Sequence, residues 1–213
     1  MERIEVDVVQ SACVPPVAAP VCAASRDEAA QAALVAAAAH RSIQAFEALY
    51  RIYRPRLGRF LDSLTHRPQL SEELLNDTML TVWHKARTYN GHSKVSTWIF
   101  AIAYRKALKA RKRLDDPVGA APDAEETGAA PEGELLQLEL SARISTAVRT
   151  LSAEQRAVIQ LNYFHGFDYP EIAAIVDCPL GTVKTRMFHA RRKLERLLAG
   201  EREYIRRHQR RRV

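Results

Sequence analysis

The sequence predicts an all-α protein made of two small helical domains joined by a flexible acidic linker. Apolar residues recur three and four positions apart over most of the chain, which is the spacing of one helix face. Alternating patterns typical of strands are sparse, and glycine accounts for only 8 of 213 residues. A stretch that is rich in acids, proline and glycine separates the two helical parts.

The stretch 167–196 predicts two short helices with a tight turn between them, in the C-terminal domain. Pro170 and Glu171 suit the first turn of a helix. We expect Asp177 to end this helix in a left-handed conformation, and Thr182 or Gly181 to cap the next one. The apolar residues that return at helical spacing in the second helix, or lie close to that face, are Val183, Met187, Phe188, Ala190 and Leu194.

The other face of the second helix is strongly basic. A basic helix held across a first helix is the helix-turn-helix arrangement, whose second helix fits the major groove of DNA. Its early side chains reach base edges, and its later Lys and Arg side chains meet phosphates. The alternative is a solvated basic face on an ordinary helical hairpin. The candidate DNA-binding residues are Thr182, Lys184, Thr185, Arg186, His189, Arg191, Arg192 and Lys193.

Charge and composition limit the class of protein. The net charge of +7 and the pI of about 9.5 favour an anionic partner. We expect no membrane insertion, because no apolar run reaches about 18–20 residues. The three cysteines are unclustered, which favours the reducing cytoplasm over a disulfide framework. No ligand spacing for a metal is evident, so we expect no metal and no other cofactor.

The domain boundaries follow from composition. Residues 1–41 are expected to be a partly disordered N-terminal extension, in which the alanine-rich segment 27–40 either docks on the next domain or frays. The first helical domain is predicted over 42–113 and the linker over 114–134, which holds seven acids and no Lys or Arg. The second domain follows over 135–200, and 201–213 form a basic tail.

Individual residues within these domains also have predicted roles. Ser42 and Ser152 are expected to cap helices, the second in a capping box with Gln155. We interpret His165 as a helix-end cation or a surface residue. The helix that ends the first domain has six Lys and Arg over 104–113 and no acid, with aromatic residues nearby. That combination suits single-stranded or melted DNA, because cations follow the phosphates and rings stack on exposed bases.

Several motifs resemble the sigma-70 family of transcription initiation factors, and most of all its extracytoplasmic-function (ECF) group. DYPEIAAIVDCPLGTVKTRMFHARRKL resembles region 4.2, and LSAEQRAVIQL is similar to region 4.1. ELLNDTMLTVW is similar to region 2.2, and YNGHSKVSTWIFAIAYRKALKARKR to regions 2.3 and 2.4. The chain departs from the family pattern at Asp177, where Gly is usual, and at Asn76, Met79 and Tyr104–Arg105.

The resemblance implies an ECF-type sigma factor without catalytic residues of its own. Its partners would be core RNA polymerase, through the β′ clamp helices and the β flap, promoter DNA, and an anti-sigma factor. The basic helix of region 4.2 would recognise the −35 element. The residues implied for polymerase binding are Glu72, Asn76, Asp77 and Met79. Those implied for the −10 element are Asn90, His92, Ser93, Lys94, Tyr104, Arg105, Lys106, Lys109 and Lys112.

Two other classes of function compete with this interpretation. A stand-alone repressor or activator would bind duplex DNA without polymerase, but it needs a dimer surface, and no coiled-coil heptads are evident. A nucleic-acid enzyme needs a phosphate-binding glycine-rich loop, a metal cluster or paired carboxylates, and none is evident. The acids of region 2.2 could also do no more than keep a helix soluble.

Overall fold

The computed structural model describes residues 21–114 and 144–198, with backbone alone for 21–26 and 114. All regular structure in these residues is helical. The first module consists of α1 (Val21–Ala39), α2 (Ile43–Thr65), α3 (Pro68–Lys85), a 3₁₀ turn (Ala86–Thr88) and α4 (Val95–Leu114). The second consists of α5 (144–149 as far as described), α6 (Ala153–Ile159), a π-helical turn (Gln160–Phe164), α7 (Tyr169–Val176) and α8 (Leu180–Leu197).

Three of the predicted features lie outside the described residues. They are the start of the N-terminal extension, the acidic linker and the basic tail. Within the described ranges, no helix has the length and apolar character needed to cross a membrane.

The core of the first module is organised around α2. Ser42 caps this helix as predicted, since its hydroxyl accepts a hydrogen bond from the Ala45 amide at 3.3 Å. Pro55 lies within α2 and does not end it. The residues of α2 buried in the core are Ala45, Leu49, Tyr53, Leu57, Phe60, Leu61 and Leu64. Their spacing is the one the sequence shows, so α2 presents a single apolar face to α3 and α4.

The N-terminal helix α1 docks on this module and does not fray. Val35 and Ala38 are buried in the core. The Arg87 guanidinium donates a hydrogen bond of 3.0 Å to the Ala39 carbonyl at the end of α1, and the Tyr53 hydroxyl donates to the Gln31 side chain. The alanine-rich composition lets α1 approach α2 closely with little side-chain entropy lost.

The helix ends of the second module are set by local chemistry. Ser152 and Gln155 form the predicted capping box, and Asp168 and Glu171 form another at the start of α7. Asp177 ends α7 with φ 53° and ψ 57°, the left-handed conformation expected of it. The expected cap of α8 is wrong, because that helix begins at Leu180 with Pro179 before it and no side-chain cap.

The two modules pack directly on each other. Helix α7 lies along α4, and α6 contacts α2. Arg156 of α6 is buried and donates hydrogen bonds to the carbonyls of Val148 and Leu151 in its own module and of Ser63 in α2. The guanidinium therefore meets carbonyls near the ends of α5 and α2, where the helix dipoles favour a cation.

Replacing Asp177 by Gly is expected to stabilise the chain. The left-handed conformation costs a non-glycine residue free energy, so D177G should raise the free energy of unfolding by about 1 kcal/mol. In a chain of this size that corresponds to a Tm higher by about 2–4 °C, measurable by circular dichroism. Asp177→Ala is the control and should lower the Tm. Equal Tm values for all three proteins would contradict the account of this helix end.

Candidate nucleic-acid interface

The outer face of α8 is a row of exposed polar and basic side chains. Lys184, Thr185, His189 and Arg192 all lie on this face, and the apolar residues Val183, Met187, Ala190 and Leu194 are buried beneath it. Four of the eight candidate DNA-binding residues of this helix are therefore directly accessible. The face is one helix wide, which matches the width of a major groove.

Phe188 belongs to this outer face, and its expected place beside the apolar stripe is wrong. Its side chain is 59% exposed and lies against His189, with ring centroids 5.5 Å apart. Position 188 is four residues from Lys184 and from Arg192, so helical spacing alone could have placed it outside. An exposed aromatic ring among basic residues offers an apolar contact for the methyl group of thymine.

The other four candidate residues of α8 are half-buried, and three of them donate hydrogen bonds to groups of their own module. The Arg186 guanidinium donates to the Cys178 sulfur at 3.7 Å, and Arg191 donates to the Tyr169 hydroxyl at 2.9 Å. The Lys193 ammonium donates to the Thr150 carbonyl. Thr182 is also half-buried. These contacts fix the orientation of α8 on α7 and α5, so the cations help to position the exposed row.

A short loop before α4 groups the first −10 candidates. The Tyr89 hydroxyl donates to the Ser93 carbonyl at 2.6 Å, and the Asn90 side chain accepts from the His92 amide at 3.2 Å. Gly91 has a φ of +74°, which favours glycine at this tight turn. Asn90, His92 and Lys94 are exposed, and Ser93 is half-buried. The loop thus presents several donors and acceptors within one turn of chain.

The remaining −10 candidates all lie on helix α4, and they differ in how far their side chains are exposed. Arg105, Lys109 and Lys112 are exposed, and Lys106 lies 3.5 Å from the Asp77 carboxylate. Tyr104 is only 2% exposed, because the second module covers it. Burial raises the pKa of its hydroxyl, so the phenol is neutral. In this arrangement Tyr104 is not accessible to a nucleic acid.

The polymerase-binding candidates on α3 divide in the same way. Glu72, Asn76 and Asp77 are exposed, and the Asn76 side chain accepts a hydrogen bond of 2.9 Å from the Tyr50 hydroxyl. Met79 is 1% exposed and packs in the core, so the prediction that it contacts polymerase directly is wrong. The exposed acidic part of α3 borders a groove between α2 and α3 that Tyr50, Arg54 and Leu75 help to line.

The modules meet at an aromatic and charged contact beside the loop. The His165 ring lies 4.9 Å from Phe100 and 5.8 Å from Phe60, and Phe167 lies 5.0 Å from Phe100. Burial, and to a lesser extent the nearby Arg56 and Arg59, lowers the pKa of His165 to about 4. His165 is therefore neutral near pH 7, and its interpretation as a surface residue or cation is wrong.

A second neutral histidine lies at the other end of the contact between modules. Burial and the adjacent Arg156 guanidinium lower the pKa of His66 to about 4, and the unprotonated ring can accept a hydrogen bond from that guanidinium. Among the described residues, no group of three or more His, Cys, Asp or Glu side chains could hold a metal ion.

Two family models match the chain: Sigma-70 region 2 over residues 49–116 and Sigma-70, region 4 over residues 141–194. The ECF RNA polymerase sigma factor RpoE of Cereibacter sphaeroides is 31% identical over 155 residues, which are 70% of this chain and 83% of that protein. Among solved structures, sigma factor RpoE of Bartonella quintana in complex with the anti-sigma factor NepR is similar, with a TM-score of 0.59 and 30% identity over 74% of this chain and 98% of that one. CnrH in complex with the cytosolic domain of CnrY has a similar fold, with a TM-score of 0.61 and 22% identity over 80% and 98% of the two chains.

The neutral His165 predicts a specific dependence of stability on pH. Its folded-state pKa of about 4 lies below the ordinary value of 6.5, so its full contribution is present above pH 6.5 and is lost as the pH falls towards 4. His165→Phe keeps an aromatic ring and removes the titrating group. From pH 7 to pH 4.5, the free energy of unfolding should fall by about 1–3 kcal/mol more in the wild type than in H165F. Denaturant titrations at several pH values measure this difference, and a constant difference would show that His165 is solvated.

Proposed function

Because the chain belongs to the ECF group of sigma-70 initiation factors, we propose that it binds core RNA polymerase, directs it to promoters and assists melting. The observation that carries this proposal is the pair of exposed basic surfaces, on α8 and on the C-terminal part of α4, in one chain. A promoter with two separated elements needs two such surfaces. The chain would act as a regulatory subunit, in the cytoplasm and beside the nucleoid, with no catalysis of its own.

The second module would recognise the −35 element in duplex form. Lys184 and Thr185 lie in the first turns of α8, where a helix in the major groove contacts base edges. Phe188 lies one turn further along and adds an apolar contact. Arg192 is exposed beyond it and would meet phosphate, which contributes affinity and salt dependence but little sequence preference.

The first module would hold the melted −10 element. Asn90, His92 and Lys94 on the loop supply hydrogen-bonding groups, and Arg105 and Lys109 on α4 supply positive charge next to it. Single strands are bound in this way, by cations along the backbone and by polar or aromatic groups at the bases. A base taken out of the stack costs a few kcal/mol, which these contacts must offset.

The exposed acidic face of α3, with Glu72, Asn76 and Asp77, would bind the β′ clamp helices, and the second module would bind the β flap. The groove between α2 and α3 adds apolar surface beside these acids. The similar sigma factor RpoE of Bartonella quintana is bound to the anti-sigma factor NepR in its solved structure. We expect an anti-sigma factor for this chain as well.

The direct experiment is in vitro transcription with core polymerase on a library of genomic DNA. Defined start sites that appear only when the chain is present would support the proposal. Co-purification with core polymerase distinguishes it from a stand-alone regulator, which would bind duplex DNA without the enzyme.

Arg186→Ala is expected to weaken discrimination among −35 variants by about 1–3 kcal/mol, because the Arg186 guanidinium, held at the Cys178 sulfur, positions the base-contacting side chains Lys184 and Thr185. The measurement is run-off transcription from promoters that differ at single −35 positions. Arg192→Ala is the matched control, because the loss of a phosphate contact should weaken all the promoters alike. An unchanged preference in R186A would contradict the assigned role of Arg186.

Asp77→Ala is expected to lower the affinity for core polymerase by about 2 kcal/mol, because it leaves a basic group of the partner unpaired. The fold should be kept, since the Asp77–Lys106 pair is long, at 3.5 Å, and partly exposed, so its contribution is small. Competition against a labelled sigma factor measures the affinity. Glu73→Ala, an exposed neighbour on α3, is the control. Equal affinities for D77A and E73A would contradict the assignment.

A further inference from the structure

The loop that carries the first −10 candidates is tied at both ends to helix α1. Where the loop begins, the Arg87 guanidinium donates a hydrogen bond of 3.0 Å to the Ala39 carbonyl at the C-terminal end of α1. Where the loop ends, the Val95 amide donates to the Glu28 carboxylate in the first half of α1. The two contacts join residues 48 and 67 positions apart in the sequence, so neither follows from the turn chemistry of the loop itself.

Helix α1 fixes the separation of these two anchor points. Glu28 and Ala39 are about three helical turns apart, which is roughly 16 Å at the rise of an α-helix. The helix between them is itself held in place, because Val35 and Ala38 are buried in the core and the Gln31 side chain accepts a hydrogen bond from the Tyr53 hydroxyl. The loop therefore spans two points on one packed helix.

Glu28 also takes the place of a capping residue for α4. Val95 is the first residue of α4, so its amide has no acceptor within the helix. The residue before it is Lys94, whose ammonium can only donate hydrogen bonds. The Glu28 carboxylate supplies the missing acceptor from another helix, and its negative charge lies at the positive end of the α4 dipole. A side chain of α1 thus fixes the point at which the loop ends and α4 begins.

The loop between the two anchors is held together by Tyr89. The Tyr89 hydroxyl donates to the Ser93 carbonyl at 2.6 Å, and its ring centroid lies 5.2 Å from that of Trp98 in the first turn of α4. Burial, and to a lesser extent the negative charge of Glu28, raises the pKa of Tyr89, so the carboxylate lies near this ring as well. The exposed −10 candidates of the loop are Asn90, His92 and Lys94. A shift of Val95 away from α1 would move the backbone that carries them.

Resting on the proposed function, we infer that Glu28 is a positioning residue for recognition of the melted −10 strand, and that α1 is the support on which the −10 loop is held. Glu28 acts through the Val95 amide and not by contact with the strand, because a carboxylate repels phosphates. A loop that is already ordered loses less conformational entropy when the strand binds. The described part of the N-terminal extension thereby contributes to promoter recognition.

The test measures how tightly the holoenzyme, made from the full chain and core polymerase, binds the non-template −10 strand of a promoter mapped by transcription. Glu28→Ala removes the acceptor and should lower the affinity for the strand about three- to tenfold, because the loop must then be ordered during binding. Glu28→Gln keeps an oxygen that accepts from the Val95 amide, and it should restore the affinity to that of the wild type or above.

The sign of the effect separates positioning from charge. Loss of a negative charge by itself raises the affinity for a phosphate chain, whereas loss of the anchor lowers it. Asp27→Ala is the matched control, because Asp27 is an exposed acid one position away on α1. The D27A holoenzyme should bind the strand as tightly as the wild type or more tightly. A loss of affinity in D27A equal to that in E28A would overturn the inference.

Two further measurements separate positioning from a general loss of stability. The E28A holoenzyme should bind duplex −35 DNA as the wild type does, since the −35 candidates lie on α8 in the other module. In the free chain, amide hydrogen exchange over residues 89–96 should become faster in E28A but not in D27A, with exchange in α2 unchanged. Equal losses of strand and −35 affinity, or unchanged exchange over 89–96, would overturn the inference. If the wild-type holoenzyme starts RNA at no defined site, it is the proposed function that fails, and the exchange measurement still tests the anchor.

Discussion

The packing of helix α4 on two sides is the constraint on which the rest of the structure depends. On one side its apolar residues complete the core of the first module with α2 and α3. On the other side Phe100 and Tyr104 are covered by the helix-turn-helix module. One helix therefore provides the stability of the first module, part of its proposed strand-binding face, and the surface on which the second module rests.

Burial determines which side chains are charged and which are neutral at the contact between the two modules. His66 and His165 stay neutral because desolvation outweighs any gain from protonation, and the neighbouring arginines oppose protonation further. Arg156 keeps its charge by donating to backbone carbonyls of both modules. The contact thus combines the partly exposed ion pair Lys94–Glu171 and the buried Arg156 guanidinium with aromatic rings and neutral histidines. Such a contact is specific in geometry, because each charged group has a defined partner.

Local chemistry was predictable from the sequence at several helix ends, although not at the start of α8, where neither Thr182 nor Gly181 is the cap. The caps at Ser42 and Ser152 and the left-handed Asp177 depend on residues a few positions apart, and all three are present. The errors arose where a residue's type or motif was weighed above its spacing. Met79 falls on the same stripe as Leu75, and its spacing already favoured the core. Phe188 is apolar, yet it shares the spacing of the exposed cations.

The contact between modules could not be predicted, because nothing in one helical pattern says which other pattern will cover it. The second stripe of α4 was visible in Phe100, Ala101 and Tyr104, but its partner was not.

Pulsed electron–electron double resonance between spin labels at the exposed positions 92 and 195 tests this contact most directly. We expect one narrow distance distribution in the free chain and a clearly longer one in the complex with core polymerase and promoter. A broad distribution in the free chain, or an unchanged distance in the complex, would contradict the account.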